Sequence, residues 1–152
     1  MTQTRPALTV EEMLAITGAH LEAEGRIDVD ATLDTMAENP WWEMCTLGVR
    51  VEGREAIREW YSRVLPGVMA LLTDVRERVM TFGDNYLVVE HLIDVNFPDG
   101  TNRTCPHIAT FYFEDGKLAG ERAYTDVHLA QVWSDVLGPD FMSLPGVSSA
   151  YS

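Results

Sequence analysis

Apolar positions recur at helical spacing in the front of the chain and alternate with polar ones further on, so the sequence divides into a helical part and a sheet-forming part. Thr9 with Glu12 three residues on makes a capping box. Val10, Met13, Leu14, Thr17 and Leu21 then line one face up to Gly25, which predicts a helix over 9–24. Leu33, Met36 and Ala37 predict a second, shorter helix from about Asp30, stopping before Asn39-Pro40 because proline pushes the preceding residue out of helical backbone. A strand over 41–46 follows. Gly53 opens a third amphipathic helix in which Ile57, Trp60, Tyr61 and Val64 share a face, ending before Pro66. Strands are predicted over 72–82, 86–97, 103–113 and 117–126, joined by turns at Gly83-Asp84-Asn85, Pro98-Asp99-Gly100 and Asp115-Gly116. A last helix covers 127–137.

The order helix, helix, strand, helix and four antiparallel strands is that of a single α+β domain over 9–137. Residues 1–8 read as a flexible N-terminus. Residues 138–152 form a Pro, Gly and Ser-rich tail, a candidate lid or dimer arm whose Phe141, Met142 and Leu144 suit docking.

Composition narrows the function classes. With 152 residues, 46% of them hydrophobic and 23% charged, the chain suits one globular domain able to bury a core and keep a cavity in it. Eleven basic residues against 24 acidic ones give a net charge of -13, and Arg50, Arg54, Arg58 and Arg63 are interleaved with Glu52, Glu55 and Glu59. Such a surface repels polyphosphate, so nucleic acid is excluded as a partner. Cys45 and Cys105 lack metal or disulfide spacing and read as reduced thiols. Residues 1–10 lack a basic, then apolar leader, and no apolar run approaches the ~20 residues that span a bilayer, so a cytoplasmic protein with no membrane partner is expected. Asn102-Arg103-Thr104 matches the glycosylation sequon by chance on that view.

Hairpin registers decide which side chains share a face. A two-residue Asp115-Gly116 turn makes Glu114 and Lys117 partners, which sets Asp126 opposite Cys105, Tyr124 opposite His107 and Arg122 opposite Ala109. A tight turn at Asp99-Gly100 sets Asp94, Leu92 and Glu90 opposite the same three residues. One face then carries Tyr86, Val88, Glu90, Leu92 and Asp94, with His107, Ala109, Phe111 and Phe113, and with Leu118, Arg122, Tyr124 and Asp126. Its large apolar groups imply cover by the helices, and its ionisable groups then imply pairing or a wet cavity. Glu90 and Arg122 meet over Ala109 as a structural pair on this reading. The opposite face carries Leu87, Val89, Ile93, Val95, Ile108 and Tyr112 with His91, Thr104, Thr110, Glu121 and Thr125. A second copy of the chain is the simplest cover for that convex face, so a homodimer is expected.

Three stretches, Gly53 to Tyr61, Phe113-Glu114-Asp115-Gly116-Lys117-Leu118 and Glu121-Arg122-Ala123-Tyr124-Thr125-Asp126, resemble the SnoaL-like branch of the nuclear-transport-factor-2-like superfamily over about residues 9–137. The resemblance implies a strongly curved antiparallel sheet on N-terminal helices, a cone-shaped α+β barrel enclosing a pocket. It also implies cofactor-free chemistry on a small molecule. Asp126 matches the acid/base aspartate of SnoaL-like cyclases and the water-activating aspartate of limonene-epoxide hydrolases, and Asp94 looks like the hydrolases' second aspartate. The hydrolase arginine is Leu92 here, and its water-holding tyrosine and asparagine are Trp42 and Met44.

Cyclisation, isomerisation or dehydration beside a carbonyl needs a base for a carbon-bound proton and a donor for the oxyanion. Asp126 is read as the base, His107 as its partner or proton relay, and Tyr124 or Asp94 as the donor. Trp42, Met44, Tyr86, Val88, Glu90, Leu92, Phe111 and Arg122 are read as lining the site of a small apolar or amphipathic molecule. Asp94, His107 and Asp126 alone are too thin a set for a metal, and neither a metal nor another cofactor is expected. His107 equally suits a structural hydrogen bond, while His20 and His128 read as ordinary helix residues. Epoxide hydrolysis and ligand binding without turnover are the alternatives.

Overall fold

The computed structural model describes residues 7–152, so the loose segment expected over 1–8 lies outside the described residues up to position 6. Leu8 already packs on the core, and its N–H meets Asn85 Oδ1 at 3.4 Å. Helix α1 spans Val10–Gly25 with the capping box in place, the Thr9 hydroxyl accepting from the Glu12 N–H and Glu12 Oε2 from the Thr9 N–H. Helix α2, Val29–Asp34, is capped by Asp28.

The expected continuation of α2 through Met36 and Ala37 is a strand instead. β1, Met36–Met44, pairs parallel with β6, Lys117–Thr125, through Met36–Leu118 and Trp41 to Met44, and antiparallel with β2, Val49–Glu52. β2 is only four residues long, too short for its alternation to stand out. Helix α3, Arg54–Val68, runs through Pro66 rather than stopping before it. The hydrogen bond lost at proline falls in the last turn, and burial of Leu65 and Val68 offsets it.

β3 (Leu72–Phe82), β4 (Tyr86–Asn96), β5 (Asn102–Glu114), β6 (Lys117–Thr125) and α4 (Val127–Leu137) follow within a residue or two of the expectation. β7, Val147–Ser149, completes a curved seven-stranded sheet of order β3-β4-β5-β6-β1-β2-β7. The sheet is not closed. β3 and β7 are its edges, and the core fills its concave side, where Trp42 and Phe111 of the strands meet Trp60 of α3 and Trp133 of α4. The tail belongs to this structure. Phe141 is buried against Trp60, Asp140 takes both guanidinium nitrogens of Arg63, and the Tyr151 hydroxyl donates to the Cys45 carbonyl at 2.6 Å.

Both central registers differ from the expectation by one residue. At the β5–β6 corner Glu114 does pair with Lys117 and Phe113 with Leu118, over an Asp115-Gly116 turn with positive φ at both residues. A bulge then places Tyr112 opposite Gly120, so His107 faces Thr125 and Ile108 faces Tyr124. At the β4–β5 corner the loop holds three residues, Pro98-Asp99-Gly100. The Gly100 N–H bonds to the Phe97 carbonyl and the Phe97 N–H to the Thr101 carbonyl, with Gly100 at φ +86. That is a type I turn closed by a left-handed glycine, and it pairs His91 with His107 and Asp94 with Thr104. Each one-residue slip turns a whole strand over. The concave face therefore carries Leu87, Val89, His91, Ile93 and Val95 beside Cys105, His107, Ala109 and Phe111, and then Glu121, Ala123 and Thr125.

Candidate active site

A cavity of about 290 Å³ lies on the concave face between the sheet and the helices. α1 supplies Leu21 and Glu24, α3 Trp60, Tyr61, Val64, Leu65 and Val68, the sheet Trp42, His91, His107, Ala109, Phe111 and Glu121, and α4 Trp133. The walls are mostly apolar, with a few convergent polar groups, as in small-molecule sites generally.

One polar group is a closed network of His20, Glu24, Tyr61, Glu121 and Trp42. His20 and Glu24 are four residues apart on α1 and so share a face. The Thr35 hydroxyl donates to the Thr32 carbonyl at 2.6 Å, so its contact of 2.7 Å with His20 Nδ1 is a bond donated by the imidazole. His20 Nε2 then faces the Tyr61 hydroxyl at 3.1 Å and Glu24 Oε1 at 3.2 Å. Trp42 Nε1 donates to Glu121 Oε2 at 2.9 Å. The donor atoms of His20, Glu24 and Glu121 lie within 4.8 Å of one another, the one cluster with metal-ligand spacing among the described residues. Both ring nitrogens of His20 already have protein partners, so shared protons fit this cluster better than a cation does.

Electrostatics follow from burial. Glu121 is pushed up to about 8, first by desolvation and then by the neighbouring Glu24, against the smaller pull of His20 and the Trp42 N–H. At neutral pH it holds its proton. Burial disfavours the imidazolium of His20, but Glu24 and Glu121 outweigh it and the net direction is up. Burial first, and Glu24 next, raises the Tyr61 hydroxyl. The second polar group is the pair His91 and His107, with ring centroids 6.1 Å apart. His107 is lowered to about 4 by desolvation and then by His91, and His91 is lowered by desolvation, so both rings are neutral.

Of the four residues expected to act together, the structure brings only His107 into the cavity. Asp94 lies on the convex face, bound to Arg76 at 2.5 and 3.0 Å and to Thr104 at 2.5 Å, which lowers it to about 2. Asp126 caps α4, accepting from the His128 N–H at 2.8 Å, and the His128 contacts outweigh its partial desolvation to lower it. Tyr124 is half exposed on the convex face. Trp42 and Phe111 line the cavity, whereas Met44 is buried in the core. Tyr86, Val88, Glu90, Leu92 and Arg122 are turned to the convex side by the register. The expected Glu90–Arg122 pair does not form. Glu90 meets Arg78 at 2.6 Å, and Arg122 reaches Glu43 at 3.3 Å.

Sequence reasoning missed Glu24, Tyr61, His91, Glu121 and Trp133 as cavity residues. The signal for the α1 pair was present: Met13, Thr17, His20 and Ala23 form the buried stripe of the helix, while Val10, Leu14 and Leu21 are exposed by 40% or more.

The profile of the SnoaL-like domain family matches residues 18–121. No curated protein matches the chain. Among solved structures, a nuclear-transport-factor-2-like protein of unknown function from Cytophaga hutchinsonii superposes with a TM-score of 0.61 at 14% identity, covering 75% of this chain and 99% of its own. SalBIII, an epoxide hydrolase/cyclase-like enzyme of pyran ring formation in salinomycin, gives 0.61 at 19% identity over 78% of this chain and 93% of its own. A protein of ketosteroid isomerase-like fold from Catenulispora acidiphila, in complex with trimethylamine, gives 0.59 at 16% identity, covering 74% and 85%.

Proposed function

Because the chain belongs to the SnoaL-like domain family, whose fold builds a pocket for a small molecule, we propose that it is a cofactor-free acid–base catalyst acting beside the carbonyl of a small, uncharged, largely apolar substrate, as an isomerase, cyclase or dehydratase. The observation that carries this reading is the buried Glu121 carboxyl, which desolvation pushes up to about 8, beside the Glu24 carboxyl in an apolar cavity. Two carboxyl groups in one site can divide the roles of donor and base. In this assignment Glu24 takes the proton from the carbon beside the carbonyl. Glu121 donates to the carbonyl oxygen as negative charge develops there. His20, with Nδ1 tied to Thr35, and Tyr61 are positioning residues that hold Glu24.

The test is deuterium wash-in. The protein is incubated with 2-tetralone in D₂O, and exchange at the α carbons is followed by proton NMR. Exchange above the buffer rate is expected, lost in Glu121→Gln and in Glu24→Gln. Exchange no faster than buffer, or unchanged in both variants, sinks the assignment. The same acid and base suit epoxide opening, and SalBIII, by its description an epoxide hydrolase/cyclase-like enzyme, shares the fold; limonene oxide in the same tubes tests that second reading. The reading includes a homodimer through the convex sheet face, where Val79, Tyr86, Ile108 and Tyr124 are exposed. A monomer by light scattering at micromolar protein removes that element alone.

A further inference from the structure

The polar side chains that line the cavity are all buried except Glu24 and His91. Its opening lies between α1 and the edge strand β3, where the lining residues Leu21 and Val75 are 40% and 50% exposed. Glu24 shares α1 with Leu21 and is engaged by His20. His91, on β4 next to β3, is engaged by nothing. Neither of its ring nitrogens is hydrogen-bonded among the described residues, and neither is one of the buried atoms left without a partner, so both keep surface that a ligand can touch. His107 Nδ1 on the next strand is sealed. The His107 ring backs the His91 imidazole on one side, with centroids 6.1 Å apart. The acid–base network does not use His91.

Register places this imidazole well away from the carboxyl end. Glu121 lies in one row with Phe111 and Leu87, and His91 stands four residues along β4 from Leu87. The two are thus separated by ~13 Å along the strands and by two strand spacings, ~9.5 Å, across them. A ligand that reaches both has two polar ends. Charge is disfavoured at the His91 end. No cationic side chain lines the cavity, while Glu24 does and Glu77 is the cross-strand partner of His91, so an anion is repelled. Desolvation holds His91 below the ordinary imidazole value in spite of Glu77, and a place that disfavours an imidazolium disfavours an ammonium group as well. A neutral imidazole offers one N–H and one lone pair, and a hydroxyl group answers either. Size follows from the volume: at the ≈ 30 Å³ that one water occupies in the liquid, about 290 Å³ holds roughly ten water-sized groups, a molecule of one or two rings.

From this placement we infer that His91 is the specificity-determining residue of the cavity, holding a hydroxyl group at the mouth end of a substrate whose carbonyl meets Glu121. The substrate class is then a ketone or aldehyde of one or two rings with its two oxygens at opposite ends. The inference rests on the proposed function for the carbonyl end only. The hydroxyl end stands on the reachable, unbonded imidazole.

Calorimetry with three ketones of one ring system tests it without turnover: 2-tetralone, 6-hydroxy-2-tetralone and 2-tetralone-6-carboxylate. The wild-type protein should bind the hydroxy ketone about tenfold more tightly than 2-tetralone, the worth of one hydrogen bond in a partly buried site. The carboxylate should bind weakest. His91→Phe keeps a ring but removes both nitrogens, so it should bring 2-tetralone and its hydroxy derivative to within about twofold of each other, and His91→Gln, which keeps a donor and an acceptor, should restore part of the preference. With ¹⁵N-labelled histidine, one of the four imidazoles should shift in the wild-type protein with the hydroxy ketone and not with 2-tetralone, and His91→Phe should remove that resonance. Equal affinity for the two uncharged ketones overturns the inference. So does a preference that survives His91→Phe, tightest binding by the carboxylate, an unmoved His91 resonance, or no saturable binding of any probe. The two readings fail separately. Deuterium exchange of 2-tetralone with no hydroxyl preference sinks the inference and leaves the catalytic assignment, whereas a hydroxyl preference without exchange does the reverse.

Discussion

Replacing Glu121 by glutamine removes the carboxyl group that the cavity holds in its protonated form, and the stability of the fold should report the change as a pH dependence. This carboxyl ordinarily titrates at 4.5 and here at about 8. Between those values the folded protein keeps a proton that the unfolded chain has released, so stability is full below 4.5 and is lost as pH rises through about 8. At 1.36 kcal/mol per pH unit the whole span is worth at most about 5 kcal/mol, and sharing of the proton with Glu24 and His20 reduces this to a few. His20, also raised, acts in the same direction. His107 acts in the opposite one. Its folded form stays neutral down to about 4, so its contribution is complete above 6.5 and is lost as pH falls from there toward 4. The two slopes oppose each other below about 6.5, and the carboxyl slope stands uncompensated by His107 above it. Urea unfolding followed by tryptophan fluorescence from pH 5.5 to 9 should therefore show a wild-type protein losing about 1 kcal/mol per pH unit between 6.5 and 8. Glu121→Gln, which keeps an acceptor for the Trp42 N–H, should flatten that decline and be the more stable of the two at pH 9. Parallel curves, or a wild type that gains stability over that window, would refute the assignment of a buried protonated carboxyl.

Substitutions at three positions test how the fold presents this site. Phe141→Ala should cost about 3–5 kcal/mol in chemical denaturation, because the ring is buried against Trp60 and its loss opens a cavity; a cost under 1 kcal/mol would mean that the tail does not dock. Asp126→Ala should cost about 1 kcal/mol through the lost cap of α4, with Asp126→Asn recovering most of it and deuterium exchange unaffected by either. Loss of exchange in the asparagine variant, with stability intact, would return Asp126 to the chemistry. Gly100→Ala should destabilise by about 1 kcal/mol or more, since φ +86 closes the β4–β5 turn, and an unchanged denaturation midpoint would deny that geometry.

Element types were legible because each carries its own period. The capping box at Thr9 and Glu12 placed α1 to within a residue, and the alternation from Leu72 onward placed β3 to β6. The errors fall where tertiary context overrides a local rule. Met36 and Ala37 fit a helix by spacing, yet Met36 pairs with Leu118 across the sheet. Pro66 should stop α3, yet its last turn continues because Leu65 and Val68 have a core to enter. β7 could not be seen in Val147–Ser149 at all, because its pairing with β2 depends on Phe141 and Tyr151 anchoring the tail on either side.

The site was less legible than the fold, and for a reason of parity. Along a strand every side chain belongs to one of two faces, so an error of one residue in pairing inverts a whole strand while leaving its boundaries correct. β5 was oriented correctly, hence His107, Ala109 and Phe111 point inward as expected, but its two neighbours were both reversed. That reversal exchanged Asp94 for His91 and Arg122 for Glu121. The residues responsible were visible. Pro98 before Asp99-Gly100 favours a type I turn that needs a third loop residue, and Gly120 inside a strand marks a bulge. The cavity's acid–base network then depends on those two features jointly with the buried stripe of α1. The bulge turns Glu121 inward, and the four-residue spacing of His20 and Glu24 brings a carboxyl and an imidazole to meet it. Deleting Ala119 would close the bulge and turn Arg122 and Tyr124 to the concave face in place of the smaller Ala123 and Thr125, with Glu121 turned to the convex one. The position of a single inserted residue thus separates a sheet with a carboxyl group in its cavity from one with a guanidinium there, whose burial costs more.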